Sequence, residues 1–350
     1  MSSTDPIQKG LAEFLSLLWA EPVEIENLQP ASGGARRQNL FFDAQRTNER
    51  TGNTERLSLV ATITPNQAMQ VMDVEVEADT LRVAEAAGAP VPHVIGSSGD
   101  PSFVGGPFFI TQRLDGETIP RRVLRLVQGS PGLGSKLAHQ CGDALARLHG
   151  IDPSRGRAEL SRPGPNSPAE HAVAMTEALM DVLLQPSPAY ALGLRWLARH
   201  LPDPPDRTAI LHGDFRNGNI IVNEQGLRAA LDWEVAKIGD PMEDLAWLCM
   251  RMWRFRNDAL EVGGFGTASD LRSGYEAAGG QWRQESFHWW KVLCTLRWGL
   301  GLAGQAAAHL DGTVPSIVMA ASGRRVAELE YDTLMLIRGS YAPIESYVPS

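Results

Sequence analysis

One short motif constrains what this chain can fold into more than any other part of its sequence. Residues 212–219 are His-Gly-Asp-Phe-Arg-Asn-Gly-Asn, and an isolated aspartate, Asp232, follows thirteen positions after Asn219. The histidine, the first aspartate and the last asparagine have the H-x-D-x-x-x-x-N spacing of a loop that catalyses phosphoryl transfer. In that chemistry one carboxylate orients or deprotonates an acceptor hydroxyl, while an amide oxygen and a second carboxylate hold magnesium on the nucleotide phosphates.

The residues between Asn219 and Asp232 predict a β-hairpin. Residues 220–222 are a β-branched run, residues 228–231 lead into a second strand, and residues 223–226 have the composition of a turn. A hairpin would bring Asn219, at the start of the first strand, beside Asp232, at the end of the second. Two oxygen ligands for a hard cation would then converge. Taken singly, the loop motif is also compatible with an ordinary turn, and Asp232 with a helix cap.

These residues carry a resemblance to a known family. His212-Gly213-Asp214, Asn219 and Asp232, followed by the motifs at 239–241 and 244–247, resemble the aminoglycoside phosphotransferase family. The chain is most similar to the branch related to the kinase domains fused to some acyl-CoA dehydrogenases. Further matching segments lie between about residue 28 and about residue 335, which is nearly the whole chain.

The resemblance implies an α+β fold of the protein-kinase type, with two lobes. Residues 1–115 are expected to form a β-rich N-terminal lobe that binds nucleotide. Residues 116–350 are expected to form a mostly helical C-terminal lobe that carries catalysis and acceptor binding. Local patterns agree, because strand-like runs precede residue 115, with one helix predicted over 73–87. The chain after residue 115 is predicted to be mostly helical, and its helices include those over 168–184, 284–310 and 315–338.

The catalytic loop suggests a role for each of its polar residues. Asp214 is predicted to be the catalytic base, or at least the group that orients the acceptor hydroxyl. His212 is expected to hold the loop by hydrogen bonding, and Arg216 either neutralises charge on the transferring phosphate or forms a surface ion pair. Asn219 and Asp232 are the predicted metal ligands.

Nucleotide contacts follow from the resemblance. The Ser-Gly-Gly segment at 32–34, with the two arginines that follow it, matches the phosphate-covering loop, where glycine lets the backbone approach a phosphate. The backbone over 112–114 is expected to be the hinge that pairs with adenine. The expected cofactors are ATP or GTP and Mg²⁺. The residues assigned to the nucleotide are Gly33, Gly34, Arg36, Glu77, Gln112 and Leu114.

The acceptor site is less well defined by the motifs. Glu234 is expected to face the acceptor cleft, and Trp253 and Arg254 to line it, although an aromatic cluster is more typical of a core. Asp240 is left open between an acceptor-site role and support of the loop. Asp244 is expected to be structural.

The sequence departs from the kinase pattern at one position. A kinase-like lobe needs a basic residue on its third strand, which contacts the phosphates and pairs with a glutamate on the first helix. Glu77 has the place of that glutamate, but the basic position falls at Ala61 or Thr62, and no lysine occurs between residues 10 and 135. One of the arginines Arg36, Arg37 and Arg56 is therefore expected to approach Glu77 or the phosphates. The alternatives are a solvated Glu77 and an enzyme that works slowly or with a different phosphate donor.

Two functions follow from these motifs. The first is an ATP- and Mg-dependent phosphotransferase that acts on a hydroxyl of a small molecule, which is an antibiotic, a hydroxyacyl compound or another metabolite. The second is an inactive, pseudokinase-like protein that binds a nucleotide or ligand. The intact aspartates and asparagine favour the first function, and the missing basic residue favours the second.

Charge and composition narrow the partners. A net charge of −9 argues against nucleic acid or an anionic membrane, which both need a basic surface. It allows a cationic acceptor, whereas the branch resemblance favours an acyl or other metabolic one. The three separated cysteines suit reduced thiols, and no signal sequence or membrane span is evident, so a cytoplasmic protein is expected. The oligomeric state is left undetermined.

Overall fold

The structure, a computed structural model, describes residues 6–31, 37–47, 54–65 and 70–339. Gly33, Gly34 and Arg36 lie outside these described residues. The strands are β1 (Val23–Pro30), β2 (Gln38–Thr47), β3 (Thr54–Ile63), β4 (Val94–Ser98), β5 (Phe108–Gln112), β6 (Ala209–Leu211), β7 (Ile220–Asn223), β8 (Gly226–Ala230) and β9 (Lys237–Gly239). The helices are α1 (Pro6–Trp19), α2 (Val74–Ala86), α3 (Pro120–Gly129), α4 (Leu133–His149), α5 (Pro168–Ala178), α6 (Pro188–Arg199), α7 (Met242–Leu248), α8 (Ala268–Ala277), α9 (Gln284–Leu310), α10 (Ile317–Ser322) and α11 (Val326–Arg338).

The N-terminal part is a five-stranded antiparallel sheet in the order β1-β2-β3-β5-β4. Side chains alternate between its two faces, as the period of a strand requires. In β3, Leu59, Ala61 and Ile63 are buried in the core that the sheet shares with α1. Val60 and Thr62 point the other way and line the central cleft. Of the two positions where a basic residue is expected, only Thr62 therefore faces the cleft.

Helix α2 places Glu77 next to the sheet. Asp73 caps the helix by accepting a hydrogen bond from the N–H of Glu75 at 2.8 Å. Gly88 follows the helix with a φ of +80°, a left-handed conformation that glycine adopts without steric cost. Apolar residues at helical spacing bury one face of α2, and Glu77 is buried on it with them. The helix predicted over 73–87 is thus confirmed.

The C-terminal part is mostly helical and surrounds α9, whose central residues are buried. Among its short strands, β7 and β8 form the predicted hairpin, with Ile220 opposite Ala230. The hairpin contacts the N-terminal part, since the N–H of Ala230 donates to the carbonyl of Pro90. It also contacts the segment after β5, where Val222 exchanges two backbone hydrogen bonds with Glu117. The α+β fold class is confirmed.

The helical pattern differs from expectation in places. Helix α3 and strand β4 were not expected, and the helix expected over 168–184 ends as α5 with a short 3-10 turn after it. The helix expected over 315–338 is divided into α10 and α11 by another such turn. In the described part of the chain, no helix has both the length and the apolar character that a membrane crossing would need.

Candidate active site

A cleft of about 1280 Å³ lies between the N-terminal sheet and the helical part. Residues from both parts line it, including Thr62 and Glu77 on one side and Asp214 and Trp247 on the other. The segment that crosses between the two parts also contributes. The cleft brings together most of the residues that the sequence singled out.

Asp214 lies at the centre of the catalytic loop, and three donors fix its carboxylate. Its Oδ1 accepts from Arg216 Nε at 2.9 Å and from Trp247 Nε1 at 2.7 Å, and its Oδ2 accepts from Asn219 Nδ2 at 2.6 Å. Burial raises the pKa of Asp214, although Arg216 opposes that shift. The carboxylate is thus held rigidly and is a better proton acceptor than an exposed aspartate.

His212 lies beneath the loop and positions it. The ring is fully buried and does not line the cleft. Its Nε2 lies 3.0 Å from the carbonyl of Leu231, which can only accept, so this nitrogen carries the proton and Nδ1 accepts from the N–H of Asp214. Burial lowers the pKa of His212, which suits this neutral form. The structural role expected for His212 is what its contacts support.

Asp244 supports the loop from α7. Its carboxylate accepts hydrogen bonds from the N–H groups of His212 and Gly213, both at 2.8 Å, and lies 3.2 Å from His149 Nε2. Gly213 has a φ of +81°, and a Cβ there would meet the carbonyl oxygen of Val235 at 2.4 Å. Glycine is therefore required where the loop turns. The structural role expected for Asp244 is confirmed.

Replacing Asp244 by Ala should destabilise the protein. Two buried N–H groups would lose their acceptor, and each such loss costs about 1–3 kcal/mol. We expect the free energy of unfolding, measured with urea, to fall by about 3 kcal/mol or more. Glu224→Ala, an exposed change in the β7–β8 turn, is the control and should have little effect. Equal stability of the two variants would contradict this role for Asp244.

The two predicted metal ligands lie side by side at the open end of the hairpin, opposite its turn. The N–H of Leu231 donates to the carbonyl of Asn219 at 2.8 Å, so Asp232 follows directly beside Asn219. Asn219 uses its Nδ2 to hold Asp214, so Oδ1 is the atom with which it could bind a metal ion. Asp232 is exposed to the cleft and has a φ of +66°, a conformation rare for a residue with a side chain and typical of functional sites. One carboxylate and one amide oxygen suit Mg²⁺, which takes its remaining ligands from phosphates and water.

Glu77 does have a cationic partner, and that partner is Arg37. Arg37 Nη2 lies 2.7 Å from Glu77 Oε2 and Nη1 lies 3.0 Å from Oε1. Arg37 Nε lies 3.2 Å from Glu234 Oε2, so Glu234 faces the cleft as expected. Arg56, by contrast, pairs with Asp43 away from the cleft.

The hinge residues also line the cleft. Strand β5 ends at Gln112, whose N–H donates to the carbonyl of His93 at 2.8 Å, and Leu114 follows in the segment that crosses to the helical part. Their assignment to adenine stays a prediction.

Three residues proposed for the acceptor site are not brought to the cleft wall. Asp240 is buried, accepts from the N–H of Met242 at 2.9 Å and pairs with Arg283. Arg254 is buried and donates to backbone carbonyls of its own segment. Trp253 is buried behind the wall, where the guanidinium of Arg216 stacks over its ring at 4.5 Å. All three residues therefore belong to the core and not to the wall of the cleft.

The sequence reasoning missed Trp247, which bonds directly to Asp214. A usable signal was present, because Trp247 follows Asp244 by three positions in α7 and residues at that spacing share a helix face. Once Asp244 is expected to support the loop, Trp247 is expected beside it. Arg297 and Trp298 of α9, which also line the cleft, carry no comparable signal.

The fold and the site together define a kinase-like phosphotransferase. The model of the phosphotransferase enzyme family, APH, matches residues 27–280, and the chain belongs to that family.

The chain is also similar to curated proteins named as acyl-CoA dehydrogenase family members. The chain is 32% identical over 161 residues to acyl-CoA dehydrogenase family member 11 of Pongo abelii, and 32% identical over 195 residues to the Gallus gallus protein of the same name. These matches cover 45% and 55% of the chain but only 20% and 24% of the relatives. The chain therefore matches about a fifth to a quarter of these longer proteins.

Solved structures share the fold. A Ralstonia eutropha protein proposed to be an aminoglycoside phosphotransferase superposes with a TM-score of 0.71 at 19% identity, covering 94% of this chain and 98% of that one. Aminoglycoside 2'-phosphotransferase-IIIa in its GDP complex gives 0.63 at 13% identity, with 95% and 100% covered. Aminoglycoside phosphotransferase APH(4)-Ia, in a ternary complex with AMP-PNP and hygromycin B, gives 0.61 at 17% identity, with 95% and 99% covered. The predicted protein-kinase-like fold is confirmed.

Proposed function

We propose that this protein is an ATP- and Mg²⁺-dependent phosphotransferase that acts on a hydroxyl group of a small molecule. The observation that carries the proposal is the convergence of Asp214, Asn219 and Asp232 at one point of the cleft. Asp214 takes the proton of the acceptor hydroxyl, and the hydroxyl oxygen forms a bond to the γ-phosphorus. The bond between that phosphorus and the bridging oxygen breaks, and ADP leaves. Nucleotide complexes of the structural relatives support the donor class.

The charges around Glu77 favour the binding of a divalent cation together with the nucleotide. Arg37 is the positive group nearest Glu77, and three carboxylates act on it, those of Glu77, Glu234 and Asp232. Among the described residues, one positive charge against three negative charges around Glu77 leaves a local excess of negative charge that would repel free ATP. Mg²⁺ held by Asp232 and Asn219 would offset this excess and neutralise charge as the phosphoryl group moves.

The test of this function is direct. Thermal unfolding is measured with ATP and with GTP, each with and without Mg²⁺, and ADP or GDP release is then followed with a panel of hydroxylated acceptors. We expect stabilisation by a nucleotide that depends on Mg²⁺, because a ligand that binds only the folded state raises its stability. No stabilisation by either nucleotide at saturating Mg²⁺ would contradict the proposal.

The acceptor that suits this cleft has an apolar body. Beside Asp214 the wall is aromatic, with the rings of Trp247 and Trp298 packed edge to face at 5.6 Å. Further apolar side chains of this region of the cleft are Met175, Leu179, Val318 and Met319. Such a wall binds hydrocarbon more readily than a polyamine.

The charge balance of the cleft points the same way. Its described lining carries as many arginines and lysines as carboxylates. The carboxylates are Glu77, Asp115, Glu117, Asp214, Asp232, Glu234 and Glu243. The cations are Arg37, Arg113, Arg122, Arg162, Arg216, Lys237 and Arg297. A polycationic aminoglycoside would need an excess of carboxylates. We therefore favour an uncharged or amphipathic alcohol. A hydroxyacyl compound is one such alcohol, and it agrees with the acyl group in the names of the curated relatives.

Glu243 is not available to a cationic acceptor. It is buried between Lys237, at 2.7 Å, and Arg297. Burial by itself would raise the pKa of Glu243, but Arg297 and Lys237 lower it to about 2. Its charge is thus already balanced by two neighbours.

Filling the apolar side pocket should weaken acceptor binding. This pocket of about 300 Å³ shares Trp247 and Trp298 with the cleft and reaches Gly304 of α9. Gly304→Leu would put a side chain into it, near Val182. We expect KM for a hydroxyacyl acceptor to rise about tenfold, the size of a lost apolar contact, with KM for ATP unchanged.

Gly129→Leu is the matched control, since Gly129 is also helical and has open space around it. The measurement is steady-state kinetics with a hydroxyacyl thioester, a macrolide and kanamycin as acceptors. Efficient phosphorylation of kanamycin, unaffected by Gly304→Leu, would contradict the apolar acceptor site.

The alternative is an inactive, nucleotide-binding protein. What favours it is that β3 carries no basic residue at Ala61 or Thr62. One combination of results would distinguish this alternative from an active enzyme. ATP would bind in a Mg²⁺-dependent manner, but no acceptor of the panel would be phosphorylated.

A further inference from the structure

Arg37, the residue just before strand β2, is a cation close to the place where β3 lacks one. In the register of the two strands, Gln38 pairs with Ile63 and Asn39 pairs with Thr62. Neighbouring strands lie about 4.8 Å apart. Arg37, which immediately precedes Gln38, therefore begins beside the end of β3, one strand away from the position where the basic residue is expected. It also lines the cleft.

Arg37 is held there by a bidentate ion pair. Only 10% of its side chain and 1% of the Glu77 side chain are exposed. Burial by itself would lower the pKa of the Arg37 guanidinium, but Glu77, Glu234 and Asp232 together raise it, so the group stays charged. Each of the two Nη nitrogens of Arg37 donates one N–H to the carboxylate of Glu77. Each of these nitrogens carries a second N–H, which the contact with Glu77 does not use.

The same ion pair reaches the metal side of the cleft. The N–H of Trp233, the residue after Asp232, donates to Glu77 Oε1 at 3.3 Å. Arg37 is also close enough to Asp232, the carboxylate proposed to hold Mg²⁺, to interact with its charge. A phosphate bound to that ion would come within reach of a guanidinium, whose planar donors suit phosphate oxygens.

We propose that Arg37 replaces the third-strand lysine and binds the phosphates of the donor nucleotide, with Glu77 as the residue that positions it. The inference rests on the proposed nucleotide site and adds to it the identity of the phosphate-binding cation. It also assigns a role to a buried pair that stability alone does not explain, because replacing a buried ion pair by apolar residues is often neutral.

The experiment compares affinities for MgATP and for adenosine by calorimetry. Adenosine carries the base and ribose but no phosphate. In Arg37→Ala we expect the Kd for MgATP to rise about 10- to 100-fold, the range of a lost hydrogen bond to a charged group. The Kd for adenosine should stay within about twofold of wild type. Arg56→Ala, which removes an arginine outside the cleft, is the matched control and should change neither value.

Two outcomes overturn the inference. Unchanged MgATP affinity would show that Arg37 makes no phosphate contact, and equal weakening of MgATP and adenosine would show a purely structural role. Because Arg37→Ala leaves Glu77 buried without its partner, Arg37→Ala combined with Glu77→Ala is measured in parallel and replaces it if the single variant does not fold. The proposed function is tested separately, since it fails if wild type binds no MgATP.

Moving the cation back to β3 is the sharpest form of the test. Thr62 faces the cleft, so Thr62→Lys in the Arg37→Ala background would place an ammonium on the expected strand. We expect the double variant to recover most of the lost MgATP affinity while adenosine binding is unchanged. A double variant that binds adenosine normally but MgATP no better than Arg37→Ala would contradict the exchange of one cation for the other.

Discussion

Asp214→Asn is expected to lose about 10²- to 10⁴-fold in kcat, the usual contribution of a positioned base. The asparagine keeps an oxygen for the donors of Arg216 and Trp247. It loses the side-chain acceptor for Asn219 Nδ2, which still donates to the backbone carbonyl of residue 214, so the loop should keep its shape. The Kd for MgATP should stay within about twofold, because Asp214 addresses the acceptor and not the nucleotide. Turnover with the true acceptor and MgATP affinity are the two measurements, and Asp181→Asn, an exposed change, is the control.

Asp214 also sets an expected pH dependence. Burial raises its pKa, and it acts in the deprotonated form. Activity should therefore fall, as the pH is lowered, at a higher pH than an ordinary aspartate would give. Wild-type kcat in Asp214→Asn, or an unchanged acid limb in its profile, would contradict the role of this residue.

Asp232→Asn is expected to abolish the dependence of nucleotide binding on Mg²⁺. Asparagine tolerates the left-handed backbone of this position, where φ is +66°, better than alanine does, so the change tests the charge and not the conformation. Loss of the metal's charge stabilisation, worth several kcal/mol, should lower kcat about 10²-fold or more. The measurement is ATP affinity across a Mg²⁺ titration.

The control for Asp232→Asn is Glu224→Gln, which removes a carboxylate from the turn of the same hairpin. That variant should follow the wild-type titration. If Asp232→Asn followed it too, the ligand assignment would be wrong, and the affinity for ATP would have to depend on other groups of the cleft.

Much of this architecture was predictable, because it depends on local patterns. Helix α9 has the expected bounds, since a long apolar pattern determines a helix with little outside help. The hairpin and its effect on Asn219 and Asp232 were predictable for the same reason, with strands and turn all close in sequence. Helix α3 was missed because it is only ten residues long and has no side-chain cap at its start, although Val123 and Leu124 are buried on one of its faces.

The remainder of the site depends on contacts between distant residues. Arg37 and Glu77 are forty positions apart, and no periodicity selects Arg37 over Arg56. Once the strands are in register, however, only Arg37 of these two reaches the cleft. The acceptor wall shows the same limit, since Trp298 joins Trp247 only after α7 and α9 have packed.

The register of β2 against β3 has a consequence for how such a site can change during evolution. Arg37 immediately precedes β2, Thr62 lies on the neighbouring strand, and both line the cleft with Glu77, so a chain with a cation at both places would keep Glu77 paired. A lineage can therefore gain the arginine first and lose the lysine afterwards, without an ancestor that has neither. Search patterns that require a basic residue on the third strand would discard the descendants of that path as inactive, although under the role proposed for Arg37 the charge would only have moved to the start of the adjacent strand.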